Sequence, residues 1–158
     1  MTAPEPHPLD APKQQAAAAD LAAVRRALTE LPQTPQDPHG WAAGAEETLR
    51  AVIGMERKAQ MEMRIALEGH LDGLPLRKTA PLAAMTLPEL VAEHREGRAM
   101  LLRVLDHLLA VGGQHEVRAW TYGEEVPPAV YLLALRGRLE RLTGLIAAQR
   151  LQSVKRSR

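Results

Sequence analysis

The sequence predicts an all-α domain built as a four-helix bundle, and three observations carry that expectation. The first is composition: 24 Leu and 26 Ala stand against no Phe, two Trp and two Tyr, so the core is aliphatic and made of strong helix formers, with few of the residues strands favour. The second is the spacing of proline, which leaves four long proline-free windows, and helix interiors are where proline is excluded. The third is the apolar periodicity inside those windows, which recurs at three and four residues and marks one buried face per helix. A chain of 158 residues is long enough to bury such a core without staples.

Residues 1–10, rich in proline, are expected to be unordered, with the bundle over 11–150 and a flexible basic tail over 151–158. The first helix is placed at about 12–31, with Ala17, Leu21, Val24, Leu28 and Leu31 facing inward. Pro32, Pro35 and Pro38 then stop it and carry the chain across. The second, at about 42–71, is the longest, and Gly73 with Pro75 supplies its stop. Its buried stripe is Leu49, Val52, Ile53, Met63 and Leu67, and Glu56 falls on that same face.

The third helix, at about 87–111, has the clearest start. Thr86 and Glu89 occupy the positions of a capping box, with Met85 and Leu90 as the hydrophobic pair around it. Leu87, Leu90, Val91, Leu101, Leu105 and Leu108 form its stripe, His94 and Arg98 lie on or beside it, and Gly112-Gly113 ends it. The connection that follows carries Trp120 and Tyr122, large rings expected to seal the end of the bundle. The fourth helix, at about 127–149, starts on a proline and turns Val130, Leu133, Ala134, Leu142, Leu145 and Ile146 inward.

Several function classes are excluded or disfavoured by residue type. Without cysteine there is no disulfide, thiol chemistry or thiolate metal site. No two of the six His are closer than eight residues, so the usual helix-borne metal motifs are missing, and no metal or cofactor is expected. The only Ser residues are Ser153 and Ser157, which rules out a nucleophile-elbow serine. A net charge of +1 gives no general pull toward nucleic acid or lipid. The basic residues between Arg136 and Arg158 lack aromatic interleaving beyond Tyr131, which argues against a nucleic-acid partner. The opening Met-Thr-Ala-Pro-Glu-Pro has no signal-peptide character, and no apolar run approaches membrane length, so a cytoplasmic protein without a membrane partner is expected.

Three short stretches carry a family resemblance. Gly40-Trp41 opens the long second helix, Thr86-Leu87-Pro88-Glu89-Leu90 starts a helix containing Arg98, and Tyr122-Gly123 with Val126 leads into a last helix that reaches Ile146. Over about residues 12–150 this resembles the DinB/YfiT-like superfamily. The resemblance implies an up-down-down-up bundle with a long crossover, often homodimeric, with a metal held by three His. The corresponding positions here are Leu49, Arg138 and Leu142, and none is a metal ligand. The expected function is therefore a non-enzymatic binding or stress-associated protein. Its site would be a polar pocket between helices for a small polar or anionic ligand, drawn from Glu56, His94, Arg138 and Trp41. In it Arg138 supplies the positive charge a metal would otherwise bring, and His94 or Glu56 is able to move a proton. The alternative is a metal-dependent transferase or hydrolase using relocated ligands.

Overall fold

The computed structural model describes residues 5–30, 40–41, 43–111 and 115–156. Among these it is all-α apart from one two-residue ladder. The helices are α1 (Asp10–Ala18), α2 (Leu21–Thr29), α3 (Ala43–Ala66), α4 (Leu87–Ala110) and α5 (Pro128–Arg156). A short 3₁₀ turn lies at Leu82–Ala84, and β1 (Val117–Arg118) pairs antiparallel with β2 (Glu125–Val126). The expected connection through Pro32, Pro35 and Pro38 and the Gly112-Gly113 stop lie outside the described residues, as do Leu31 and the side chains of Leu21 and Leu28.

Where the sequence predicts one first helix there are two. Ala19 is extended, at φ −112° and ψ 142°, and the Asp20 carboxylate accepts the Ala23 N–H at 2.7 Å. An aspartate inside an Ala-rich run competes for backbone donors and restarts the helix as its N-cap. The break also turns Ala17 outward, leaving Ala16 and Ala19 to pack on the core. Ahead of α1, Leu9 is 0 % exposed and the His7 N–H donates to Asp10 Oδ2 at 2.8 Å. The packed domain thus begins inside the segment expected to be unordered. α1 itself buries no side chain, so Leu9 is its apolar anchor.

α3 ends at Ala66, short of the expected limit at 71, because Gly69 at φ +86° reverses the chain first, and Gly73 follows with the expected left-handed conformation at φ +79°. The capping box of α4 is formed as predicted: Thr86 Oγ1 accepts the Glu89 N–H at 3.4 Å, and Glu89 Oε1 accepts the Thr86 N–H at 3.2 Å. α5 runs on to Arg156, past the expected end at 149. Its inward face holds Val130, Ala134 and Ile146, as expected, with Tyr131, Leu132, Leu135 and Leu139, whereas Leu145, expected inside, is 46 % exposed.

Interhelical contacts set the directions. Arg57 meets Glu93 at 3.1 Å, Gln60 donates to the Gly97 carbonyl at 3.1 Å, and Arg64 approaches the Met100 thioether at 3.9 Å. Residue numbers rise together, so α3 and α4 run parallel. Against α5 they run in opposition, since Thr48 pairs with Gln149 at 2.9 Å while Glu62 faces Tyr131. Two parallel neighbours need a return connection as long as the helix, and three α3 arginines at heptad spacing hold it. Arg50 donates to the Leu82 and Met85 carbonyls, Arg57 to that of Ala80, and Arg64 to those of Leu74 and Pro75.

Leu9→Ala is expected to cost about 2–5 kcal/mol, the usual range for emptying a buried leucine site. Urea unfolding measures it, and a loss below about 0.5 kcal/mol, the level of a surface substitution, would show that Leu9 anchors nothing.

Candidate functional site

The buried polar cluster on the α3–α4 seam is the first place the sequence points to. Glu56 is 1 % exposed and His94 3 %. Glu56 Oε1 accepts Arg98 Nε at 2.7 Å and Nη2 at 2.6 Å, and lies 3.5 Å from His94 Nε2. Arg98 Nη2 is 3.3 Å from the same His94 nitrogen. A guanidinium has only donors, so that contact is satisfied when His94 Nε2 carries its lone pair. The cation beside Glu56 is thus Arg98, one helical turn from His94, and not Arg138 as expected. Glu56 Oε2 is buried with no hydrogen-bond partner among the described residues. Since the group is closed over by packed helices, its chemistry is structural: a buried carboxylate matched by one arginine pins the register of α3 against α4.

Arg138 stands elsewhere. Its guanidinium lies 5.8 Å from the Trp120 ring centroid, a cation–π distance, and Trp120 in turn packs on Tyr131 at 4.8 Å between centroids. Arg138 and Arg141, one turn apart on α5, line a cleft of about 520 Å³ closed on its other side by Pro8, Pro12 and Gln15 and at its end by Tyr122. Neither arginine has a carboxylate partner among the described residues. The floor is apolar, made by Leu133 and Ala134. His7 and Lys13 tie the other wall to the loop between β1 and β2, His7 against the Tyr122 ring and Lys13 to Glu124 at 2.6 Å. Trp41 lies at the start of α3, with Arg150 5.1 Å from its ring centroid, and does not join this cleft.

The four residues singled out from sequence are therefore divided. Glu56 and His94 share the buried cluster, Arg138 belongs to the α1–α5 cleft, and Trp41 packs near the end of α5. Sequence reasoning missed Arg141, Tyr122 and Gln15, which share a cleft only because α1 docks beside α5. The signal for Arg141 was its three-residue spacing from Arg138 on one helix. Of the positions where the family resemblance asks for ligands, Leu49 is core and Leu142 packs partly buried against it. Among the described residues no group of three or more His, Asp or Glu is placed to hold a metal ion, and no helix is long and apolar enough to cross a membrane. No family model matches the chain, and no curated protein or solved structure is significantly similar to it.

Two carboxyls are displaced from their ordinary range. Burial pushes Glu93 up, but hydrogen bonds and charge from Arg77 and Arg57 outweigh it and hold the group below the usual value. Burial raises Glu62, with Tyr131, Lys58 and Arg118 only partly offsetting it. The Tyr131 hydroxyl is driven above the tyrosine range, first by burial and then by Glu62, although it makes no hydrogen bond of good geometry among the described residues.

Opposite stability effects follow from these two shifts. Glu62 binds its proton more tightly folded than unfolded, so its ionisation disfavours the fold as pH rises through its raised folded value. Glu62→Gln should therefore stabilise at pH 7, with the gain vanishing below the unfolded value of about 4.3. Glu93 contributes stability above its unfolded value that is lost as pH falls through its depressed folded one. Thermal melts of both Gln variants at pH 3 and 7 check the signs.

Removing one member of the buried pair should be worse than removing both. Arg98→Met is expected to cost about 3–5 kcal/mol by stranding Glu56, and Glu56→Leu in that background to recover most of it. A double-mutant cycle by urea unfolding reads the coupling, and simple additivity would contradict the pairing.

Proposed function

We propose that this protein is a non-enzymatic binding module that takes a small amphipathic anion in the cleft between α1 and α5. The observation that carries the reading is the pair Arg138 and Arg141, without acidic partners among the described residues, at the mouth of a cleft with an apolar floor. A guanidinium presents its donors in a plane that matches a carboxylate or phosphate. The Trp120 ring under Arg138 satisfies part of that charge without supplying an anion, so its donors stay available to a ligand. Leu133, Ala134, Pro8 and Pro12 suit a short hydrocarbon body, and Tyr122 and Gln15 offer polar contacts at the edge.

The reading includes the resemblance to DinB/YfiT-like bundles. Parallel α3 and α4 joined by a long return, α5 opposed to both, and α1 starting beside the strands that lead into α5 agree with the order that resemblance implies. Leu49, Arg138 and Leu142 stand at its ligand positions, which supports binding in place of metal-dependent chemistry. The cleft used here is accordingly one between α1 and α5.

Titration calorimetry with octanoate and with inorganic phosphate tests the proposal. Saturable binding is expected for both, tighter for octanoate because of the apolar floor. Arg138→Met is expected to weaken octanoate roughly tenfold or more, the loss of one charge-assisted contact. Absence of saturable binding by either anion, or affinities unchanged in Arg138→Met and Arg141→Met, would overturn it.

A further inference from the structure

His70 and His115, from segments far apart in the chain, face each other at the end of α3 with ring centroids 5.3 Å apart and planes inclined by 51°. We infer that this pair is a binding site for a divalent first-row transition metal, with the two imidazoles as its protein ligands and water in the remaining positions. The separation is what such a site requires. Zinc–imidazole bonds of about 2.0–2.1 Å at a tetrahedral angle hold two ring centroids roughly 5 Å apart.

Both rings stand on restrained backbone. His70 follows Gly69, whose left-handed φ of +86° reverses the chain, and its N–H donates to the Leu67 carbonyl at 2.7 Å, Leu67 itself being buried. His115 lies two residues before Val117, which is buried and paired with Val126 across the two-strand ladder. A pair of ligands held from two elements loses less freedom on binding than two on one mobile loop.

The ring nitrogens are also available. Neither imidazole has a hydrogen-bond or ion-pair partner among the described residues, whereas His94 meets Arg98 and His7 meets Glu124. His70 is exposed and His115 half-buried, so an ion reaches them from solvent. Glu68, Asp72 and Glu116, exposed neighbours in sequence, add negative charge to the surroundings. Imidazole suits zinc, copper and nickel, while the hard cations calcium and magnesium prefer all-oxygen sites.

The experiment is a Zn²⁺ titration of the untagged full chain in chelator-free buffer, followed by calorimetry. One saturable equivalent is expected. His70→Gln and His115→Gln should each weaken it roughly tenfold or more, and the double variant should abolish it. His7→Gln, which removes an imidazole facing Glu124, should leave it intact. Circular dichroism melts of the metal-free variants confirm that these surface changes leave the fold in place. Co²⁺ offers a second readout, because its visible absorption changes when imidazole nitrogens replace water. No saturable binding, binding that survives the double variant, or binding lost with His7→Gln would each overturn the assignment.

Discussion

Three guanidinium groups at positions 50, 57 and 64 of one helix hold the fold's most demanding connection. Two neighbouring helices that run the same way cannot be joined by a tight turn. The chain between them must travel back the full length of the first, exposing carbonyls that no helix or sheet satisfies. Arg50, Arg57 and Arg64 recur every seven residues, so they project from nearly one face of α3, and each donates to carbonyls of the returning chain. Their order is reversed along the connection, which is the signature of chain running backwards beside the helix. Arg64 does this while 8 % exposed, where the carbonyl contacts offset the cost of burying its charge.

The parallel pair so created carries a second constraint. Apolar seams alone tolerate sliding by a turn, because leucine packs against leucine in several registers. A buried carboxylate does not, since moving Glu56 by one turn would separate it from Arg98 and leave both uncompensated. Arg57 and Arg77 converge on Glu93 at the partly exposed edge of the same seam, so the returning chain, α3 and α4 are tied by one network. The resulting division of labour puts register on the α3–α4 side, while the cleft lies on the α1–α5 side.

Much of this was legible in the residues, and the boundary of legibility is physical. The capping box at Thr86 and Glu89 is local, and both its hydrogen bonds formed as read. The stripe from Leu49 to Leu67 is local too, and all five residues are core, Leu67 directly after the end of α3. Glu56 was visible as a charge on an apolar face, but its partner depended on the relative direction of two helices, which no local pattern contains. The same holds for the cleft, whose walls come from α1 and α5 at opposite ends of the chain. The restart at Asp20 was missed because helix propensity, summed over an alanine-rich window, outvoted a single capping residue.

The attachment of α1 has a thermodynamic consequence. This helix fully buries no side chain of its own, being held by Leu9 in front of it, by half-buried Ala16 and by exposed ionic contacts to the β1–β2 loop. Such an element opens at a lower free energy than the α3–α4 pair, and its amides exchange with solvent before the core does. It is also one wall of the cleft. Occupancy of the cleft and protection of α1 are therefore one linked equilibrium: any molecule that bridges the two walls slows exchange in α1 by the factor with which it prefers the closed form.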